Sequence, residues 1–189
     1  MERRVLILGY GRHQTPLHDA MTRAEWVVTH TDKPIKSLAG FNTIISFGYR
    51  YILSETVLAS AQKPVINLHI SFLPWNRGAH PNFWAFFDGT PCGVSIHYMD
   101  PGVDTGPILL QEHANFSPDT MTFRQTHSLL VAQIEGLFLQ NLDGLLNHQI
   151  EALPQVGPGT CHQQRDIPDR FSGWDSIIKP EIERLKNDP

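Results

Sequence analysis

An amide, an imidazole and a hydroxyl alternate with apolar side chains in the segment NLHISFLP, residues 67–74. Successive side chains of an extended chain point to opposite faces, so Asn67, His69 and Ser71 are expected to share one face. A carboxylate, Asp104, follows in the loop DPGVDTGP. An Asn N–H can hold a developing oxyanion, a His can donate to it or move a proton, and an Asp can orient the His or take the proton. This set of side chains is suited to acyl transfer.

The nucleophile of this chemistry is expected to come from the substrate, because no Ser or Cys stands in a nucleophile-elbow context such as GxSxG. The sequence therefore predicts attack of a substrate amine on a bound acyl donor. Each residue also has a structural interpretation that the sequence leaves open. A strand His is often a hydrogen-bonded core residue, Asn67 could satisfy a strand end, and Asp104 could form an Asx turn. His97, in the middle of a later predicted strand, is interpreted as structural or as supporting the site from behind.

Short apolar runs alternate with helical segments along the chain, and this order predicts an α/β sheet covered by helices on both faces. The predicted strands cover residues 5–8, 25–29, 43–47, 65–69, 93–99 and 108–112. The predicted helices cover residues 15–23, 54–61, 81–88 and 122–148. In a parallel sheet, ligands bind outside the carboxyl ends of the strands. Asn67 and His69 stand at such an end, and the loop with Asp104 can fold back over it.

The 189 residues fit one domain. Residues 1–153 are predicted to form an α/β domain with a Rossmann-like, mostly parallel sheet flanked by helices. Residues 154–189 are polar and rich in Pro and Gly, with little periodicity. They are predicted to be an irregular C-terminal extension that packs on the same domain.

Composition narrows the class of protein. The chain is 41% hydrophobic and 18% charged, with a net charge of −4 and no long basic run, so neither a nucleic-acid nor a membrane partner is expected. Cys92 and Cys161 form no CxxC pattern, which favours a reducing cytosol and a cytoplasmic location. The first apolar run, Val5–Leu8, is too short for a signal peptide. The ten histidines include no HExxH pair, so no metal is expected.

The segment from Asn67 to Gln111 resembles the folate-dependent formyltransferase family. The matching stretches are NLHISFLPWNRGAHP, at residues 67–81, and GVSIHYMDPGVDTGPILLQ, at residues 93–111. The family pattern is Asn-x-His, Ser-x-Leu-Pro, Arg-Gly and Pro, followed by Asp-x-Gly-x-Asp-Thr-Gly, and order, spacing and residue types agree. The stretch FGYRYIL, residues 47–53, is also similar to the family segment that lines the pteridine pocket.

The resemblance implies transfer of a formyl group from N10-formyltetrahydrofolate to a primary amine, through a tetrahedral intermediate and without a metal. Asn67 matches the amide that holds the formyl oxygen, and His69 matches the imidazole that stabilises the oxyanion. Asp104 matches the carboxylate that assists proton transfer from the amine.

The resemblance also implies where the two substrates bind. The folate co-substrate is expected where main-chain groups would meet the pteridine edge, at Tyr51, Ile52, Leu53, Asp100 and Val103. The acceptor is expected to contact Trp75, Asn76 and Arg77. For Arg77 the alternative is that it packs its own loop by bonding to backbone carbonyls.

Family members differ in their amine acceptor. The run PWNRGAHPNFW and the triplet Gly173-Trp174-Asp175 are most similar to the amino-sugar N-formyltransferases, so a nucleotide-linked amino deoxysugar is the predicted acceptor. Methionyl-tRNA formyltransferases carry an additional C-terminal domain, for which the stretch after Gln111 leaves little room, and an acidic chain does not favour a tRNA ligand. Glycinamide ribonucleotide transformylases begin with a Gly-Asn-Gly-Ser-Asn phosphate loop. This chain has Gly-Tyr-Gly-Arg-His at residues 9–13, which reads equally well as a plain βα turn.

Three other functions stay open at this stage. They are a glycinamide ribonucleotide transformylase-like activity, hydrolysis of formyltetrahydrofolate with water in place of the amine, and a non-catalytic folate- or nucleotide-binding module. A mere binder does not need a proton-handling trio, which argues against the module. A homodimer is compatible with the sequence.

Overall fold

The computed structural model describes residues 2–187. Its strands are β1 (Arg4–Gly9), β2 (Val27–Thr31), β3 (Thr43–Phe47), β4 (Ile66–His69), β5 (Arg77–Gly78), β6 (Gly93–Tyr98), β7 (Ile108–His113) and β8 (Cys161–His162). Its helices are α1 (Leu17–Arg23), α2 (Glu55–Ala59), α3 (Pro81–Phe87), α4 (Phe123–Gln140), α5 (Leu142–Leu146) and α6 (Ile178–Asn187). No helix within residues 2–187 is both long enough and apolar enough to cross a bilayer.

Six of the strands form one sheet in the order β2-β1-β3-β4-β6-β7. The first four are parallel to one another, whereas β6 runs antiparallel to β4 and β7 antiparallel to β6. The predicted fold class, a mostly parallel α/β sheet flanked by helices, is confirmed. β5 and β8 form a separate two-stranded pair, in which Arg77 lies opposite Cys161 and Gly78 opposite His162.

The sheet is buried on both faces, which explains the all-apolar sequence of its central strands. Val5 and Ile7 of β1 pack into the cluster that contains buried side chains of α1 and α4, such as Met21 and Phe138. Leu6 and Leu8, which point to the other face, pack into a smaller cluster with residues such as Leu53, next to α2. Together these layers hold the carboxyl ends of β1, β3 and β4 side by side.

The C-terminal segment is not wholly irregular, and that part of the prediction is wrong. Residues 178–187 form α6, whose buried Ile178, Ile182 and Leu185 pack with Phe83 and Phe123 in a third cluster. These three positions follow the i, i+4, i+7 spacing of an amphipathic helix. This row of apolar residues is short and follows a Pro- and Gly-rich stretch, so the helix was not recognised from the sequence. The division at residues 153 and 154 stays a prediction.

Two element boundaries also differ from the prediction. The second strand begins at Val27 rather than Glu25, because Glu25 has a left-handed backbone with φ of 61° where the chain turns out of α1. The long helix predicted at residues 122–148 is two helices, α4 and α5, that meet at Asn141. The Asn141 amide donates to the carbonyl of Leu137 at 2.9 Å and so satisfies an orphan carbonyl at the end of α4.

Candidate active site

Asn67 and His69 lie at the carboxyl end of β4, on the face opposite Leu68. A cavity of about 250 Å³ opens beside them. It is lined from β4, from the ends of β1 and β3, and from the loops that follow, by residues that include Tyr10, Phe47, Gly48, Tyr49, Asn67, His69, Ile70, Gly78, Pro81 and Asp104. The sheet edge predicted to carry the site is therefore a real crevice.

Asp104 enters this cavity from the loop between β6 and β7, where its backbone is left-handed with φ of 50°. Its Oδ1 accepts a hydrogen bond from Asn67 Nδ2 at 3.2 Å, and its Oδ2 accepts one from the backbone N–H of Gly78 at 2.9 Å. His69 Nδ1 lies 3.7 Å from Oδ2. The structure thus brings the three predicted catalytic residues together, while their catalytic roles stay predictions.

The carboxylate of Asp104 is held in its charged form. Burial alone would raise the pKa of Asp104, but nearby His69 and His97 and the Gly78 N–H outweigh it and hold that pKa well below its ordinary value. A carboxylate with so low a pKa is a weak proton acceptor. It is better suited to stabilise positive charge on an imidazole or an amine next to it.

The ring of His69 has a defined orientation. Nε2 lies 3.1 Å from the backbone carbonyl of Asn76, which can only accept, so Nε2 carries a proton. Nδ1 therefore faces Asp104 and the cavity. When Nδ1 is also protonated, it forms an ion pair with Asp104 and presents a charged donor to a reactant beside it.

His97 belongs to the site, although no charged residue adjoins it in the sequence. The antiparallel register places His97 of β6 opposite Asn67 of β4. Its Nδ1 donates to the carbonyl of Tyr98 at 2.8 Å, and its Nε2 lies 3.1 Å from Asn67 Nδ2 and 3.4 Å from Asp104 Oδ1. The ring is 1% exposed, so it supports the two residues from behind, as one of its interpretations proposed.

The Nδ2 atom of Asn67 has two hydrogens, and both are engaged. One is donated to Asp104 and the other to His97 Nε2 when that ring is neutral. Donation to a formyl oxygen therefore requires Asn67 to exchange one of these partners as substrate binds. The sequence alone identified the amide but not the partners that hold it.

The loop after β4 is shaped by Ser71 and Asn76. Ser71 Oγ donates to the carbonyl of Trp75 and closes the turn around Leu73–Pro74. Asn76 is 0% exposed, and its side chain bonds to the hydroxyls of Thr90 and Thr160 at 2.8 and 3.1 Å. The Asn76 side chain is therefore held by the fold, and the expected contact of Asn76 with the acceptor stays a prediction.

Arg77 does not bond to the backbone of its loop. Its Nε and Nη2 both donate to Oε1 of Gln155, at 3.1 and 2.7 Å. The next residue, Gly78, has a left-handed φ of 85° and lies so close to the carbonyl of His162 that a Cβ would clash at 2.3 Å. Glycine at position 78 is thus needed to bring its N–H to Asp104. Trp75 is half-buried in the same loop, and its contact with the acceptor stays a prediction.

The residues expected to bind folate form two groups. Tyr51, Ile52 and Val103 are among the exposed large hydrophobic side chains, and Ile52 is 84% exposed. An aromatic ligand that covered them would remove apolar surface from water, so these residues fit a pteridine and its aryl group. The side chain of Leu53 is part of the core, so only the main chain of this residue is available to a folate. The carboxylate of Asp100 shapes its own loop, because it accepts hydrogen bonds from Gly102 N–H and Thr105 Oγ1.

Two further cavities of about 330 Å³ adjoin the central one. One shares Ile70 and Pro81 with it and has aromatic walls, with residues His80, Phe83, Phe123, Arg124, His127 and Trp174. The other shares Tyr10, Gly48 and Tyr49 with it and is more polar, with residues such as Gln14, Asp32, Lys33 and Arg50. The reactive centre therefore lies between two spaces that can hold larger substrate parts.

Burial lowers the pKa of His80 and of His127, and Arg124 lowers that of His127 further.

The chain is similar in sequence to known formyltransferases. A sequence profile described as Formyl transferase matches residues 12–136. The methionyl-tRNA formyltransferase of Roseobacter denitrificans is 31% identical over 163 residues, which is 84% of this chain and 52% of that protein. The corresponding protein of Thermodesulfovibrio yellowstonii is 33% identical over 78% of this chain and 49% of that protein. The chain thus spans about half the length of these curated relatives.

Solved structures with this fold include a match over nearly the full length. The formyltransferase PseJ from Anoxybacillus kamchatkensis, in complex with UDP-4,6-dideoxy-4-formamido-L-AltNAc and tetrahydrofolate, is 35% identical with a TM-score of 0.86. The match covers 93% of this chain and 95% of PseJ. A 4-N formyltransferase from Francisella tularensis shares the fold at 16% identity, with a TM-score of 0.78 over 96% of this chain and 85% of that one. From its sequence profile, its relatives and the geometry of its crevice, this chain belongs to the formyl transferase family.

Proposed function

We propose that this chain transfers a formyl group from N10-formyltetrahydrofolate to the primary amine of a nucleotide-linked amino deoxysugar. The observation that carries the proposal is the arrangement of Asn67, His69 and Asp104, joined by the bond between Asn67 Nδ2 and Asp104 Oδ1, at the carboxyl end of β4. Such a site can polarise an acyl oxygen and attract a cationic amine in one crevice.

The formyl donor supplies an activated one-carbon group, and the protein supplies the charges around it. Protonated His69 Nδ1 donates toward the formyl oxygen as negative charge builds there, and a donor of this kind contributes about 100- to 1,000-fold in rate. Ionised Asp104 draws the ammonium form of the amine into the cavity, where the amine must release one proton to solvent before its lone pair can attack. The attacking nitrogen becomes positively charged and strongly acidic once the new bond has formed, so that even a weak base such as Asp104 can receive its second proton. The bond between the formyl carbon and N10 then breaks, and N10 takes up that proton, which releases tetrahydrofolate.

The acceptor class rests on two supports. PseJ, with its bound UDP-linked formamido sugar and tetrahydrofolate, matches the chain over nearly the whole length of both proteins. The aromatic cavity beside Ile70 and Pro81 offers a wall of flat side chains to the part of an acceptor that extends beyond its amine. Tetrahydrofolate in that complex also agrees with the exposed apolar side chains Tyr51, Ile52 and Val103.

Methionyl-tRNA is the second candidate acceptor, because the curated relatives that match 78–84% of this chain are methionyl-tRNA formyltransferases. The net charge of −4 weighs against it, since tRNA binding requires positive charge at the contact surface.

An acceptor panel separates these functions. Purified protein is incubated with N10-formyltetrahydrofolate and, in turn, UDP- and dTDP-linked amino deoxysugars, methionyl-tRNA, glycinamide ribonucleotide and no acceptor, while the release of tetrahydrofolate is followed by absorbance. We expect tetrahydrofolate to be released only when the acceptor is an amino-sugar nucleotide. Release without any amine would identify a hydrolase, and turnover confined to methionyl-tRNA would identify the second candidate.

A further inference from the structure

We propose that Gln155 is the positioning residue that locks the Asp104 loop against the Arg77–Gly78 loop and thereby sets where the carboxylate faces His69. The inference rests on the proposed function, since it concerns the same reaction. Gln155 lies in the segment between α5 and β8, which was expected to be irregular and gave no sequence signal for a role in the site.

A single amide makes four hydrogen bonds at this position. Gln155 Nε2 donates to the backbone carbonyls of Asp104, at 2.7 Å, and Gly106, at 2.8 Å. Its Oε1 accepts from Nε and Nη2 of Arg77. Both amide hydrogens and both oxygen lone pairs are therefore used, and all of them point into loops that build the catalytic cavity.

These bonds fix the two loops that hold the carboxylate of Asp104. On one side the amide holds the carbonyl of Asp104 itself, whose left-handed backbone needs support to persist. On the other side it holds Arg77, whose neighbour Gly78 donates its N–H to Asp104 Oδ2. Gln155 therefore controls both the backbone and, through Gly78, the side-chain direction of Asp104.

Gln155 is itself held from both sides. Leu153 forms a two-way backbone bridge with Ile108 at the start of β7. Further along, the hydroxyl of Thr160 accepts from the backbone N–H of Asn76, at 2.8 Å, and its carbonyl accepts from the N–H of Arg77. The segment between these anchors passes over both loops, so the Gln155 amide arrives at one defined place. A surface side chain that served only solubility would not need a segment that is anchored on both sides of it.

Gln155→Met tests the proposal, because it keeps the length of the side chain and removes all four hydrogen bonds. The matched control is Gln149→Met, since Gln149 is exposed and its side chain forms no hydrogen bond within residues 2–187. We expect Gln155→Met to lower kcat about tenfold or more, since misplacing a catalytic group by about 1 Å can lower a rate by up to 100-fold. The KM values for donor and acceptor should change less than about threefold, and Gln149→Met should leave kcat unchanged.

A readout without turnover separates this inference from the proposed function. The backbone N–H signal of Gly78 is followed by NMR in the ligand-free protein, because this N–H donates to Asp104 Oδ2 at 2.9 Å and reports where the carboxylate lies. In Gln155→Met this signal should move toward its position in Asp104→Asn, because the carboxylate is less well placed, whereas Gln149→Met should leave it unchanged.

The outcomes are distinct. A lower kcat together with a shifted Gly78 N–H signal supports the inference, and the shifted signal alone supports it if no acceptor is found for the wild type. An unchanged kcat in an active enzyme, or a Gly78 N–H signal equal to that of the wild type, would overturn it. Should Gln155→Met fail to fold, Gln155→Glu replaces it, because that variant keeps a partner for Arg77 and sets a carboxylate against both loop carbonyls. The same loss of kcat is expected, and near-normal kcat in a folded Gln155→Glu protein contradicts the proposal.

Discussion

Asn67 Nδ2 donates a 3.2 Å hydrogen bond to Asp104 Oδ1 across 37 positions of sequence. This bond connects the end of β4 to the loop between β6 and β7, so an amide and a carboxylate from different elements act as one unit. The same carboxyl group also accepts from Gly78 N–H and faces His69 Nδ1. Its charge is therefore directed at the positions where an acyl oxygen and an amine would meet.

Replacing Asp104 by Asn should lower kcat about 100- to 1,000-fold with little loss of folate binding. The amide keeps the shape of the side chain but removes the negative charge that lies beside His69 Nδ1 and attracts the amine. Steady-state kinetics and a binding titration with a folate measure the two effects. Asp169→Asn, at an exposed site, is the control and should be as active as the wild type. A kcat within threefold of the wild type in folded Asp104→Asn would remove Asp104 from the mechanism.

His97→Phe should weaken both stability and turnover. His97 is buried, and a phenyl ring removes one of the two acceptors near Asn67 Nδ2 and leaves the carbonyl of Tyr98 without the donor of His97. A buried group that loses its partner lowers the free energy of unfolding by about 1–3 kcal/mol. Urea denaturation gives that energy, and kcat should fall less than in Asp104→Asn. Wild-type stability and rate in this variant would show that the Asn67–His97 contact does not support the site.

The strand that carries Asn67 and His69 could be predicted from the sequence because its alternation of polar and apolar side chains is local. His97 and Gln155 were not connected to the site in this way. Their contacts arise from the antiparallel insertion of β6 and from a return of the chain after α5, and neither is encoded in local periodicity.

Helix α6 was overlooked for a related reason, because its stripe of three apolar residues becomes significant only beside the aromatic side chains of α3 and α4. The surroundings of Asn76 were equally hidden from the sequence. Its contact with the acceptor stays a prediction, but its side chain is buried by the return of the chain at Thr160. Long-range packing decided each of these cases.

Glu181→Gln should destabilise the docking of α6 in a pH-dependent way. Glu181 is 6% exposed, accepts two hydrogen bonds from Arg184 and one from Ser172 N–H, and Arg184 holds the pKa of its carboxyl below the ordinary value. Because the folded-state pKa is depressed, this contribution is present above the ordinary pKa of about 4.3 and is lost as the pH falls below it. At pH 7 the variant should lose about 1–3 kcal/mol of unfolding free energy.

Glu183, an exposed residue of α6, provides the control for the Glu181→Gln experiment. Glu183→Gln should change the free energy of unfolding by less than about 0.5 kcal/mol at any pH between 3 and 7. Denaturant titrations across this range should show the gap between wild type and Glu181→Gln closing toward the acid end. A gap that stays constant with pH would contradict the assigned ion pair.

Trp174→Ala should weaken binding of the acceptor but not of the folate. Trp174 lines the aromatic cavity beside His80, whose ring centroid lies 5.1 Å from its own. A stacking contact contributes about 0.5–1.5 kcal/mol, so the KM for the acceptor should rise about three- to tenfold. Trp174→Phe, which keeps a flat ring, should lose less. An equal rise in the KM for the folate, or an unchanged KM for the acceptor, would place the acceptor elsewhere.

The fate of the formyl carbon tests the central proposal most directly. Donor N10-formyltetrahydrofolate carrying a ¹³C-labelled formyl group is incubated with the protein and a nucleotide-linked 4-amino or 3-amino deoxysugar, and the sugar nucleotide and free formate are then analysed by mass spectrometry and NMR. We predict that the label is recovered as a formamide on the sugar nucleotide, that it depends on His69 and Asp104, and that it is absent when the amine is acetylated beforehand. Recovery of the label as free formate, at a rate independent of the amine, would contradict formyl transfer by this site.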